Sequence, residues 1–336
     1  MKRHIAIIAG GDSSEHEVSL RSAAGLYSFM DKERYDITIV VFEGKDWHTE
    51  SGEPIDKNDF SFTREGVKHT FDFAYITIHG TPGENGILQG YLDMIGLPYS
   101  CCGVLAAALT FNKYACNHYL SYFGFHIANS MMLRAGQKWP NAQKIADTLG
   151  LPCFIKSNIG GSSFGCTKVK SVEEVYPAIE RAFQEGDEVI CESFMEGTEV
   201  TCGVYKTKEK AVAFPITEVV THNEFFDYDA KYKGEVDEIT PARIPDAVRD
   251  KIQAETLRLY DIIGANGIIR VDWIITGVQN TDRCADRVQT ELPQINLLEV
   301  NTTPGMTETS FIPQQVHAAG LDIKDVLTDI IENKFN

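Results

Sequence analysis

The run from Leu297 to Met306, Leu-Leu-Glu-Val-Asn-Thr-Thr-Pro-Gly-Met, constrains this chain more than any other stretch. It sets oxygen-donor side chains at alternate positions of an apolar strand and then stops at a Pro-Gly turn. Successive strand residues point to opposite faces, so Leu298 and Val300 are expected on one face and Leu297, Glu299 and Asn301 on the other. Upstream, Ile268 to Ile275 repeats the pattern, with Ile269, Val271 and Trp273 on one side and Ile268, Arg270, Asp272 and Ile274 on the other. If the two strands pair, Asp272, Glu299 and Asn301 converge. Such hard oxygen donors suit Mg²⁺, which keeps several waters and takes one or two carboxylates plus substrate phosphates. Arg270 on the same face would hold an anionic or charge-developing group. The alternation equally suits the solvated face of an antiparallel sheet, so the rest of the chain has to decide.

Any phosphate bound here must be held by a few placed cations and a metal. The net charge is −17, and no Lys/Arg cluster of the kind that binds a nucleic-acid backbone occurs. The 336 residues, 43% hydrophobic and 24% charged, suffice for two or three domains with real cores. No stretch approaches the roughly 18 apolar residues of a membrane span, so no membrane partner is expected. His4 to Ala9 reads as a first strand rather than a signal sequence, since it is short, lacks a small-residue cleavage site and runs into Gly10-Gly11. The 8 cysteines include no C-x-x-C pair. They read as buried free thiols of a reducing cytoplasm.

In chain order, strand, glycine turn and helix through Met30, followed by strands at Tyr35 to Glu43 and Phe73 to His79, predict an open parallel α/β sheet. Ser14 and Glu17 fit a capping box. The dinucleotide fingerprint is absent, and Glu15 at the strand's carboxyl end suits a substrate ammonium or serves as a plain capping carboxylate. His79 begins a glycine-rich loop at another strand end, where ligands bind in such sheets; it can also be simply structural. A helix is expected over Val104 to Leu120, within which Lys113 is a ligand or, on its own evidence, a snorkelling surface lysine. Pro152 to Lys156 reads as a buried strand ending in a cation. The loop that follows, Ser157 to Gly165, exposes backbone N–H groups as a flap over phosphates would. Glu192, Phe194 and Met195 line an adenine pocket or belong to the core, with Glu199 placed for ribose hydroxyls. The long aromatic segment around Lys231 and Tyr232 reads as a lid, Ala247 to Gly264 and Gly320 to Phe335 as helices, and Gly277 to Gln294 as an exposed excursion.

Five runs in order carry a resemblance: Gly-Gly-Asp-Ser-Ser-Glu-His-Glu-Val-Ser-Leu from Gly10, His-Gly-Thr-Pro-Gly-Glu-Asn-Gly from His79, Gly-Gly-Ser-Ser-Phe-Gly from Gly160, Phe-Phe-Asp-Tyr-Asp-Ala-Lys-Tyr from Phe225, and Leu-Glu-Val-Asn-Thr-Thr-Pro-Gly-Met-Thr from Leu298. Together they resemble the ATP-grasp superfamily and, within it, the D-alanine:D-alanine ligase family over nearly the whole chain. The resemblance implies an α/β and α+β architecture: an N-terminal parallel α/β domain over residues 1–101, a central ATP-grasp subdomain with the flap over 102–191, and a C-terminal subdomain with the metal site and lid over 192–336. It implies ATP, with Lys113, Lys156, Ser163 and Lys231 toward the phosphates, Glu192 and Met195 at adenine and Glu199 at ribose. Asp272, Glu299 and Asn301 would hold two Mg²⁺ ions, or Mn²⁺.

The implied activity joins two D-alanines through a D-alanyl phosphate, for peptidoglycan and hence cell-wall shape, in a cytoplasmic homodimer. Glu15 would hold the first ammonium and join Ser162 and Tyr232 in closing the lid. Arg270 and the Gly305 N–H would form the oxyanion hole, Ser310 and Arg270 would take the second carboxylate, and His79 and Phe311 would complete the substrate contacts. A D-alanine:D-lactate ligase is the near alternative, disfavoured by Tyr232 because ester-forming relatives usually alter this loop. Another carboxylate-amine ligase of the superfamily is a further one, whereas a non-catalytic ATP-binding relative would have lost a metal ligand or Arg270. The chain departs from the family pattern at Gly160, at Cys101-Cys102, at Phe111-Asn112 and in the length of the 277–294 excursion.

Overall fold

The computed structural model describes residues 2–161, 165–221, 236–277 and 293–336. The sequence expectations for Ser162, Ser163, Lys231, Tyr232 and nearly all of the 277–294 excursion lie outside these residues.

The first sheet runs in the order Asp46–Thr49, Tyr35–Glu43, Arg3–Gly10, Phe73–Ile76, parallel apart from the antiparallel edge strand Asp46–Thr49. Both its faces are covered, so Ile5 to Ala9 are fully buried and read as an unbroken apolar run. The expected capping box does not form: Glu15 is the cap residue of the helix His16–Phe29 and makes no side-chain cap bond. Ser13 does the local work, its hydroxyl accepting from the Glu15 N–H (3.2 Å) and donating to the His79 carbonyl (2.7 Å). The Glu15 carboxylate is thereby spared for the space beyond the strand ends. A small antiparallel sheet, Ile55–Asp56, Ser61–Arg64 and Val67–His69, lies beside this domain.

The expected helix over 104–120 is two helices, Val104–Phe111 and Lys113–Ser121. Asn112 between them is extended (φ −88°, ψ 97°), and its side-chain oxygen accepts from the Ala115 N–H at 2.9 Å. An Asn that can cap stops one helix and starts the next, which puts Lys113 in the first turn of the second. An antiparallel sheet ordered Thr167–Val169, Cys153–Ser157, Glu188–Ser193, Ser130–Arg134 follows, with helices Ala142–Leu149 and Val175–Ala182 closing its core.

The largest sheet contains Val236–Ile239, Thr217–Thr221, Gly197–Lys206, Ile268–Thr276, Gln294–Asn301 and His126–Ile127 in that order, with Ala211–Ala213 beside Gly197–Lys206. The helix Asp246–Ile262 covers the face that carries Val271, Trp273 and Val300. Arg270 pairs with Asn301 and Asp272 with Glu299, but Trp273 pairs with Leu297, so Leu298 is an extra residue in a β-bulge. This corrects the strict alternation expected above. The bulge returns Leu297 to the core side, where it is fully buried beside Trp273. Burying a leucine side chain is worth about 1.5–3 kcal/mol, enough to favour the slip. No helix among the described residues is long and apolar enough to cross a membrane.

Candidate active site

The Arg270-x-Asp272 and Glu299-x-Asn301 pairs face each other as their spacing predicts. Asp272, 6% exposed, accepts from both arms of the Arg270 fork at 2.9 Å each, from the Thr201 hydroxyl at 2.5 Å and from the Asn301 amide at 3.0 Å. A carboxylate surrounded by donors is held in one orientation. The Arg270 guanidinium also lies 5.2 Å from the centre of the Phe311 ring, within cation–π range.

The stretch after Asn301 is fastened to the N-terminal domain. The Thr303 hydroxyl donates to the Ile78 carbonyl (3.2 Å), and the Met306 N–H to the Ser22 hydroxyl (3.4 Å), which also meets the His79 Nε2 (3.2 Å). A Cβ on Gly25 would lie 2.2 Å from the Met306 carbonyl oxygen, so only glycine lets this helix approach the loop. The helix Phe311–Ala318, which sequence patterning missed, rests on the large sheet through Gln315. That amide donates to the Thr201 carbonyl and the Thr217 hydroxyl (3.0 Å each) and accepts from the Gly203 N–H (2.9 Å). Ser310 and Phe311 thereby sit at the helix's start beside Arg270. The Ser310 hydroxyl accepts from the Thr307 N–H at 3.0 Å, and its oxygen would be 2.9 Å from a Cβ on Gly305.

These residues enclose a cavity of about 350 Å³ whose lining includes Glu15, His79, Glu84, Lys113, Arg270 and Glu299, together with Gly305, Ser310 and Phe311. The described edge of the flap closes over it. Lys113 donates to the Gly160 carbonyl and stands 3.7 Å from Glu299, and a Cβ on Gly161 would meet the Glu15 carboxylate at 2.2 Å. Lys156, Glu192, Met195, Glu199 and Asp272 do not line the cavity. Lys156 and Glu192 form a buried pair at 2.7 Å. Burial alone would lower the Lys156 ammonium, but the Glu192 and Glu299 carboxylates outweigh it and raise it.

Acidic groups crowd this region. Burial, then the neighbouring Asp272 and Glu299, push the Glu199 carboxyl up to about 8. Burial, then Glu15, push Glu84 up to about 7. Glu84 was not singled out from the sequence; the one signal available was its place in the glycine loop after His79. Both carboxyls start from an ordinary 4.5, so above that pH the unfolded chain sheds protons that the native fold still holds. Stability from these protons is present below pH 4.5 and is lost as pH rises through about 7 for Glu84 and about 8 for Glu199. Relative to Glu84→Gln and Glu199→Gln, the ligand-free wild type is expected to lose on the order of 2–4 kcal/mol per group from pH 5 to 8.5. Thermal melts across this range check it; a pH-independent difference in Tm would refute the assignment.

Among the described residues no three His, Cys, Asp or Glu side chains gather as a metal cage. The donor set is instead two carboxylates and an amide, which fits Mg²⁺ completing its shell with water and phosphate. After burial, the Asp272 and Glu299 carboxylates are what raise the Glu199 proton affinity, so negative charge gathers at this donor set.

A family model described as D-ala D-ala ligase N-terminus matches residues 4–102, and one described as D-ala D-ala ligase C-terminus matches residues 119–332. A D-alanine–D-alanine ligase of Bacteroides fragilis is 62% identical over 339 residues, covering 100% of both chains. Among solved structures, the VanG D-Ala:D-Ser ligase of Enterococcus faecalis superposes with a TM-score of 0.84 at 28% identity, covering 99% of each chain. A D-alanine–D-alanine ligase of Bacillus anthracis complexed with ATP superposes at 0.75 and 26% identity, covering 99% of this chain and 97% of its own.

Proposed function

The chain belongs to the D-ala D-ala ligase family, and from that premise we propose that its cavity joins two D-alanines to D-alanyl-D-alanine with conversion of ATP to ADP and phosphate, for peptidoglycan synthesis. The observation that supports this reading most is the register that sets Arg270 and Asp272 against Asn301 and Glu299, with Arg270, Glu299 and Asn301 lining a cavity they share with Gly305 and Ser310.

The carboxylate of the first D-alanine attacks the γ-phosphate of ATP, and the amine of the second displaces phosphate from the resulting D-alanyl phosphate. Glu15 holds the first ammonium. Arg270 and the Gly305 N–H face the oxyanion of the tetrahedral state, and Arg270 with Ser310 takes the second carboxylate. His79 and Phe311 shape the pocket. Lys113 and Lys156 hold the ATP phosphates, Glu192 and Met195 border adenine and Glu199 the ribose, with Ser163 and Lys231 as further phosphate contacts and Ser162 and Tyr232 as lid partners of Glu15. Asp272, Glu299 and Asn301 would hold two Mg²⁺ ions, or Mn²⁺, which neutralise phosphate charge when bound. Chemistry of this kind is chiefly positioning and charge neutralisation.

We place the enzyme in the cytoplasm as a homodimer acting on small molecules, not on nucleic acid or membranes. All seven cysteines whose state is described are free thiols, as a reducing compartment keeps them. Phosphate release with D-alanine alone, compared with D-alanine plus D-lactate or D-serine at neutral pH, tests the second site. D-alanine alone is expected to give full turnover, and a preference for either partner would overturn the dipeptide assignment.

A further inference from the structure

We infer that Glu84 is the proton acceptor that readies the second D-alanine amine for attack, an inference that rests on the ligase reading above. At neutral pH the second amino acid arrives as an ammonium, which has no lone pair to attack with. The cavity must therefore take a proton from it once it is bound.

Among the described residues lining the cavity, the carboxylates are Glu15, Glu84, Glu238 and Glu299. Glu15 lies against Gly161 under the flap and is already assigned to the first ammonium. Glu238 accepts from the Gln314 amide at 2.8 Å. Glu299 stands 3.7 Å from Lys113, on the side of the cavity where phosphates would lie. His79 is 8% exposed, with its Nε2 against the Ser22 hydroxyl. Lys113, Arg21 and Arg270 are cations. Glu84 remains, and it is built to stay in place: one carboxylate oxygen accepts from the Gly80 N–H at 2.8 Å, and the Thr303 hydroxyl, two residues before Gly305, lies beside it.

Its surroundings are mixed in sign. Glu15 pushes its proton affinity up while Lys113 draws it down, and burial is the largest influence, so the group sits near 7. A base is most useful when its affinity lies near the working pH. The step balances. One ammonium proton passes to the Glu84 carboxylate and the freed amine attacks the carbonyl carbon of D-alanyl phosphate. The C–O bond to phosphate breaks, the leaving phosphate takes the second nitrogen proton, and Glu84 returns its own to solvent.

Hydroxylamine separates this role from a merely structural one, because it is already unprotonated at neutral pH and attacks the same acyl phosphate to give a hydroxamate. With ATP, Mg²⁺ and D-alanine, Glu84→Gln is expected to lower dipeptide formation about 10²-fold. Hydroxamate formation, at D-alanine concentrations filling only the first site, should stay within about twofold of wild type, the scale of a base being a proton transfer that hydroxylamine does not need. The dipeptide defect should shrink as pH rises and solution supplies free amine. Glu84→Asp, which keeps an acceptor, should retain part of the D-alanine reaction. An equal loss with both nucleophiles, no loss with either, or an Asp variant no better than Gln toward D-alanine overturns the inference. Wild type that forms hydroxamate but no dipeptide would instead sink the ligase reading itself.

Discussion

Glu299→Gln is expected to lower kcat by roughly 10³–10⁴-fold while changing the KM for D-alanine less than about fivefold, the scale of several kcal/mol lost from charge neutralisation at a transferring phosphoryl group. Glu299 is the Cα partner of Asp272, its side chain is 30% exposed, and Lys113 is 3.7 Å away. Glutamine keeps the volume and one carbonyl oxygen but removes the charge that a divalent cation needs. The residues proposed for the amino acids, Glu15, Arg270 and Ser310, keep their own partners, so binding should survive. Folding should survive too, since Asp272 and Glu299 both oppose ionisation of Glu199 and removing one relieves that repulsion. ADP release measured against Mg²⁺ concentration checks the result. Near-normal kcat at ordinary Mg²⁺ would mean that Glu299 carries no metal.

The oxygen-donor face behind this prediction was legible in the sequence because alternation is a local property of a strand. Asp272 and Glu299 needed only the right parity and a pairing. The bulge at Leu298 was not legible, for it depends on whether Leu297 finds room beside Trp273 in a core assembled from distant segments. Asn112 shows the opposite failure. Its capping chemistry is local, but the apolar pattern on both sides favours one continuous helix, which the bond from the Ala115 N–H to the Asn112 side chain interrupts. The capping box at Ser14 failed because the helix begins one residue later, with Glu15 as its cap residue, and the hydroxyl engaged there is that of Ser13, which bonds the His79 carbonyl. Glu84 was invisible for a related reason. A carboxyl in a glycine loop says nothing by itself, and its shifted affinity arises from burial and from Glu15 on another element. The ends of the site were foreseeable from chemistry; its floor and its electrostatics came from packing.

Arg270→Lys is the second large effect, with kcat expected to fall about 10²–10³-fold, the scale of losing an oxyanion donor, and the KM for the second D-alanine to rise. Charge is conserved in this variant, so any loss reports geometry. The Arg270 fork bonds both Asp272 oxygens at 2.9 Å and lies 5.2 Å from the centre of the Phe311 ring, which fixes the plane it presents to the cavity. A lysine ammonium is a single flexible point charge that cannot hold two oxygens and a ring face together. Asp272 would keep its bonds from Thr201 and Asn301, so the loss of one donor should cost stability only about 1–3 kcal/mol. Removing the charge altogether, as in Arg270→Met, would strand a buried carboxylate at a cost of about 3–5 kcal/mol and confuse catalysis with unfolding. Steady-state kinetics over both D-alanine sites, beside thermal melts of the same preparations, separate the two. If Arg270→Lys retains kcat within about threefold, a point charge suffices at this position, and the forked geometry on Asp272 has no part in stabilising the transition state.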